Sequence, residues 1–138
     1  MTLCHFSNER FNAFDNARLG YATVSRSSDN DETMAVSSFG FCFVEEEDIE
    51  ALIQCYGADF AKYIATCDVD CSQNNNYDST WDNFCEWIER DGAESVREQL
   101  NDDGIEYLRL WNGCFNEIIV MDAFSVKIEK WNKVNELV

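Results

Sequence analysis

The chain carries a single histidine, His5, at the end of a short apolar run and two residues before Ser7. Far along the chain, Glu117 heads the run Ile118, Ile119, Val120 and Met121. Between them, Phe39, Phe41 and Phe43 alternate with Gly40 and Cys42, and an acid-rich segment leads on to Tyr56. These residue types limit the chemistry. A Ser-His-Asp set cannot be assigned beyond His5 being the one histidine. There is no G-x-G-x-x-G and no Walker A loop, so neither a doubly wound dinucleotide fold nor a phosphate loop is signalled. Cys67 and Cys71 form the one close cysteine pair, and zinc would want a second pair or a pair plus histidines, so no metal is expected. What remains is an ordered set: an imidazole, a ring-bearing strand with the helix after it, and a carboxylate. Taken one at a time, each has an ordinary explanation. A lone histidine beside an apolar strand is commonly a hydrogen-bonded structural residue. Glu117 could be a solvated edge charge that discourages sheet aggregation. Tyr56 could be a core aromatic, and the phenylalanine stripe one face of a packed strand.

The elements that must position these residues follow from periodicity. Residues 2–5 read as an opening strand, and residues 8–16 as a loop pinning Phe11 and Phe14. Residues 20–24 are strand-like, residues 25–32 loop-like, and residues 34–44 a strand by their alternating phenylalanines. Residues 45–60 switch to helical spacing, with Ile49, Leu52, Ile53, Tyr56 and Phe60 on one face and Glu45 to Asp48 where the helix dipole favours acids. Residues 63–69 predict a strand and residues 72–79 a loop. Asp78 or Ser79 is expected to cap a helix over 80–90, whose apolar face is Trp81, Phe84, Trp87 and Ile88. Gly92 ends it, a short helix covers 93–100, and strands close the chain at 105–111, 117–121 and 126–131. Strands mixed with short helices predict an α+β class, and residues 1–138 read as a single domain.

Placed in that order, the motifs resemble the His-Tyr-Glu ADP-ribosyltransferase superfamily of toxins and poly(ADP-ribose) polymerases. That family opens with a strand ending in histidine, often followed by Gly-Thr or Gly-Ser; here the segment is Leu3-Cys4-His5-Phe6-Ser7. Its second motif, Gly-Ile-Tyr-Phe before a helix with Ala and Tyr, is matched by Gly40-Phe41-Cys42-Phe43, then Ala51 and Tyr56. Its third, a glutamate opening a strand and soon followed by Ile-Lys-Ile, is matched by Glu117-Ile118-Ile119-Val120-Met121-Asp122, then Val126-Lys127-Ile128. The resemblance spans nearly the whole chain and implies a compact fold of split antiparallel sheets with short helices.

The resemblance also implies a reaction and its residues. ADP-ribose passes from NAD through an oxocarbenium-like state of the kind glycoside cleavage uses. Glu117 would be the catalytic carboxylate facing the developing positive charge. His5 with Ser7 would hold a ribose hydroxyl. Gly40, Phe41 and Cys42 would line the nicotinamide site, with Cys42 standing where the family has its strand tyrosine; Tyr56 would supply a ring, and Phe41 or Phe43 could substitute. Members that modify arginine carry Glu or Gln two residues before the catalytic glutamate; Phe115 holds that position here, so arginine is not the favoured acceptor.

Charge points to partners. Ten Lys and Arg against 27 Asp and Glu give a formal charge of −17, which excludes a nonspecific binder of the phosphate backbone. At 46% hydrophobic and 14% aromatic residues, the chain is not a disordered acidic tail. No apolar run approaches the roughly 18 residues of a membrane span. A basic or nucleic-acid-binding protein is the expected partner, with no direct nucleic-acid contact and no membrane. The chain is similar in size and acidity to small phage-encoded anti-CRISPR members of the family. Two other classes fit the charge: an acidic decoy imitating nucleic acid, and an immunity protein steered onto a basic toxin. No secretory signal is visible and the cysteines number seven, so a cytoplasmic setting with every thiol reduced is expected.

Overall fold

The computed structural model describes residues 1–15, 36, 39–71 and 75–136. Among them the chain forms seven strands and three α-helices. In order these are β1 (Thr2–Ser7), β2 (Phe41–Phe43), α1 (Ile49–Tyr56), β3 (Tyr63–Val69), β4 (Asn76–Thr80), α2 (Trp81–Asp91), α3 (Ala93–Asp102), β5 (Tyr107–Trp111), β6 (Asn116–Val120) and β7 (Val126–Lys133), with short 3-10 turns at Glu46–Asp48, Ala123–Ser125 and Val134–Glu136. One sheet runs β1-β3-β7 and is antiparallel throughout. The other runs β2-β6-β5-β4. Its β2–β6 and β5–β6 pairs are antiparallel, but β4 lies parallel to β5, so the second sheet is mixed rather than wholly antiparallel. The α+β class expected from the sequence holds at this level.

Three apolar clusters hold the layers together. Leu3, Ala65, Cys67 and Val69 of the first sheet meet Phe43, Tyr107, Ile118 and Val120 of the second, with Phe14 from the loop after β1. The outer face of the first sheet buries Cys4, Phe6 and Ile64 against Leu52 of α1, joined by Val44 and Phe115. The outer face of the second buries Leu108, Leu110 and Ile119 against Phe84 of α2 and Val96 and Leu100 of α3. The period of two along each strand sorts side chains between these faces. The sheets meet at one backbone pair, Cys4 with Val44, in which each N–H donates to the other's carbonyl at 2.8 Å.

Several local expectations change. Residues 20–24 and 25–32 lie outside the described residues, as do parts of the expected strand over 34–44 and of the loop over 72–79. Of that strand, Phe41–Phe43 is extended and Val44 makes the bridge to β1. The expected helix over 45–60 begins with the 3-10 turn and stops at Tyr56, because Gly57 takes a φ of 88°. Part of the expected loop over 72–79 is β4, a polar strand with no apolar alternation, which pairing to β5 brings into the sheet. The cap of α2 is Thr80, which accepts from the Asn83 N–H at 3.1 Å, rather than Asp78 or Ser79. The loop after β1 does pin its two aromatics: Phe14 is buried, and Phe11 packs edge-on against Trp131 at 5.1 Å.

The thiols also differ from expectation. Cys55, at the end of α1, and Cys114, in the turn between β5 and β6, are joined as a disulfide across 59 residues of sequence. Cys4, Cys42, Cys67, Cys71 and Cys85 are free. Burial pushes the Cys4 thiol up to about 11 and the Cys67 thiol up to about 12, so both are inert in the folded protein. Thiol titration of the denatured, unreduced protein should therefore find five groups rather than seven, and reduction should lower stability by about 2–4 kcal/mol. Seven titratable thiols before reduction would remove the cross-link.

Gly40 is set by a close approach. A Cβ there would overlap the Val120 carbonyl oxygen and press on the Ile119 side chain, so the chain entering β2 can lie against β6 only without a side chain. Gly40→Ala should cost about 1–3 kcal/mol in urea denaturation through forced displacement of β2. A wild-type midpoint would show that the approach is not required.

Candidate functional site

His5 stands in β1 opposite Ala65 of β3, with the ring nested against Phe14 at 4.9 Å, Phe43 at 5.4 Å and Phe11 at 6.0 Å between centroids. Its Nδ1 lies 2.7 Å from the Cys42 carbonyl oxygen. A carbonyl can only accept, so Nδ1 carries the proton and donates across the junction between the two sheets. Ser7 ends the same strand. Its Oγ donates to the Glu9 carbonyl at 2.7 Å and accepts the Glu9 N–H at 3.1 Å, so the hydroxyl fixes the start of the loop.

Glu117 lies in β6, a strand paired on both sides, by β2 and by β5. It is 3% exposed, which rules out a solvated edge charge. Ile118 and Val120 enter the cluster between the sheets, whereas Ile119 enters the cluster under α2 and α3. Alternation therefore puts Glu117 on the helix-facing side with Ile119. Phe115, one alternation earlier, belongs to the cluster under α1. Glu117 thus occupies the boundary between two apolar clusters. Burying a carboxylate there is costly unless its environment is arranged to receive it.

The remaining candidates divide between the two faces. Cys42 pairs with Ile119 in the β2–β6 ladder and packs with the α2–α3 cluster, so its side chain shares the face of Glu117 while its carbonyl receives His5. Tyr56 stacks on Phe60 at 5.0 Å and meets Phe115 edge-on at 6.1 Å, which places it at the α1 end of that face. Phe41 packs edge-on against Phe14 at 5.0 Å, and Phe43 packs beside His5, so both rings lie on the inter-sheet side. Alternation thus puts Glu117 and Cys42 on the helix-facing side of the second sheet and the rings of His5, Phe41 and Phe43 on the inter-sheet side, with Tyr56 beside Phe115 at the end of α1; the Nδ1 bond of His5 reaches the backbone of residue 42. Gly40 serves the β2–β6 approach.

One connection was not foreseen from the sequence. The disulfide joins Cys55, adjacent to Tyr56, with Cys114, three residues before Glu117. The turn it reaches is built on Asn112, whose Oδ1 accepts the N–H groups of Cys114 and Phe115, each at 3.0 Å. The odd cysteine count and the distance of 59 residues between the partners hid this pairing.

Removing the imidazole donor should loosen the sheet junction. His5→Phe keeps a ring for Phe14 and Phe43 but leaves the Cys42 carbonyl without its donor, a cost of about 1–3 kcal/mol measurable by urea denaturation. Unchanged stability would show that the hydrogen bond does not hold the junction. Compared with known protein families, curated proteins and solved structures, the chain matches none.

Proposed function

We propose that the chain is a mono-ADP-ribosyltransferase that moves ADP-ribose from NAD to a protein. The observation that carries this reading is the short set of buried polar side chains. Among the described residues these are His5 at 9%, Ser7 at 0% and Glu117 at 3% exposure, and all three are candidates named by motif order alone. Among the described residues, the one acidic residue that is buried is the one this reaction would use. In this reading Glu117 faces the ribose carbon as positive charge develops, in an apolar setting that strengthens the interaction. Tyr56 and Cys42 flank the nicotinamide. His5, its ring fixed through Nδ1, meets a ribose hydroxyl through Nε2. The nicotinamide–ribose bond breaks, nicotinamide leaves, and the acceptor atom of the target loses a proton as it bonds to the ribose carbon.

The partner in this reading is a basic or nucleic-acid-binding protein, attracted by the charge of −17. No helix among the described residues is long and apolar enough to cross a membrane. The proposal places the reaction in the cytoplasm, where NAD is abundant, in a host cell if the chain is phage-encoded and directed at a defence complex.

Glu117→Gln is the decisive variant. It keeps the shape and removes the charge, and it should lower the transfer of labelled ADP-ribose from NAD to a lysate protein by about a hundredfold to a thousandfold while the melting temperature holds. A stable variant that labels its target fully would remove Glu117 from catalysis and favour the acidic decoy.

A further inference from the structure

We infer that the Cys55–Cys114 disulfide is a thiol-exchange site whose redox state controls the order of the face that carries Glu117. Both cysteines are exposed, so a thiolate in solvent can reach the bond. Exposed disulfides are characteristically labile and regulatory, whereas structural ones are protected. The position matters as much as the exposure. One sulfur is anchored at the C-terminal end of α1, where Gly57 with its φ of 88° already ends the helix and its N–H donates to the Ile53 carbonyl at 2.7 Å. The other is anchored in the turn from residue 112 to 115, a four-residue turn closed by the Asn112 side-chain oxygen and by the Asn112 N–H donating to the Phe115 carbonyl at 3.1 Å. Gly113, with a φ of 99°, adds no side chain to restrain that turn. Both termini of the link therefore sit where regular structure ends, and each is a few residues from a candidate group: Tyr56 on one side, Glu117 on the other.

The exchange balances with a small thiol as the reductant. A thiolate attacks one cysteine sulfur, forming a mixed disulfide and releasing the other cysteine as a thiolate, which takes up a proton. A second thiol resolves the mixed disulfide. Two external thiols are oxidised to their disulfide, and Cys55 and Cys114 become two free thiols. Reduction removes the covalent tie between the end of α1 and the turn before β6 and leaves the packing of Tyr56 and Leu52 with Phe115 to hold them; oxidation adds the tie to that packing.

Amide hydrogen exchange read by NMR tests this without NAD, so its outcome is independent of the proposed transferase activity. The full chain is compared as isolated, after reduction with dithiothreitol, and as Cys55→Ser. Reduction should speed exchange at Gly57, Cys114 and Phe115 by at least about tenfold more than at Ala65 in the β3 ladder, and Cys55→Ser should behave like the reduced protein. An equal rise at all four amides would make the disulfide a staple of global stability only, and would overturn the inference. Exchange unchanged by dithiothreitol, with seven thiols already free in the isolated protein, would overturn it as well.

Discussion

The two sheets of this protein depend on one short stretch of backbone, residues 42–44. Val44 shares a reciprocal pair of hydrogen bonds with Cys4, and the Cys42 carbonyl accepts a hydrogen bond from His5 Nδ1. Beyond those contacts the sheets are held by side chains packed between them. An unsatisfied carbonyl at that depth would cost more than the bond itself contributes, so the imidazole is constrained in tautomer and in orientation. The ring in turn organises its surroundings. Phe14, Phe43 and Phe11 pack around it, and Phe11 gives its carbonyl to the Trp131 indole N–H at 3.2 Å. The loop after β1 is thereby fixed by the same residue that joins the sheets.

The same stretch divides the candidate site. Because strand side chains alternate, residue 42 presents its thiol to one face and its neighbours Phe41 and Phe43 to the other. Glu117, in the adjacent strand, falls on the thiol side. A carboxylate placed between an apolar cluster under α1 and another under α2 and α3 is poorly shielded by solvent, so in the proposed reading its charge would act on a developing cation more strongly than it would in water. That is a costly position for stability and a useful one for a reaction with a cationic transition state. In the proposed reading the acidic exterior would act separately, attracting a basic partner at long range through a field that salt screens.

The helix end and turn that border this face are held by local contacts, the Gly57 N–H on the Ile53 carbonyl and the Asn112 N–H on the Phe115 carbonyl among them. Elsewhere the β1–β3 and β5–β6 ladders give continuous main-chain pairing, and β3–β7 is broken only by a register shift between Thr66 and Cys67. Around Cys55 and Cys114 the backbone leaves regular structure through Gly57 and Gly113, and a covalent bond supplies the connection. Cross-linking chain that is otherwise free to open has its largest local effect where few other contacts compete with it.

Much of the local structure was legible in the sequence because it depends on neighbours. Residues 63–69 matched β3, the apolar spacing of Trp81, Phe84, Trp87 and Ile88 marked α2, and Gly92 ended it. His5, Ser7 and Glu117 could be named as candidates from motif order, which is a property of the chain alone, while their shared burial came from the fold. What required the tertiary structure was everything that depends on which distant segments meet. The polar strand β4 has no alternation to betray it and exists because β5 offers it hydrogen-bonding partners. Gly40 is required by the Val120 carbonyl, 80 residues away in sequence. The face on which each ring lies, the burial of Glu117 and the pairing of Cys55 with Cys114 follow from sheet register and layer packing. Local periodicity states which residues share a side of an element; only the closed chain states what that side is packed against.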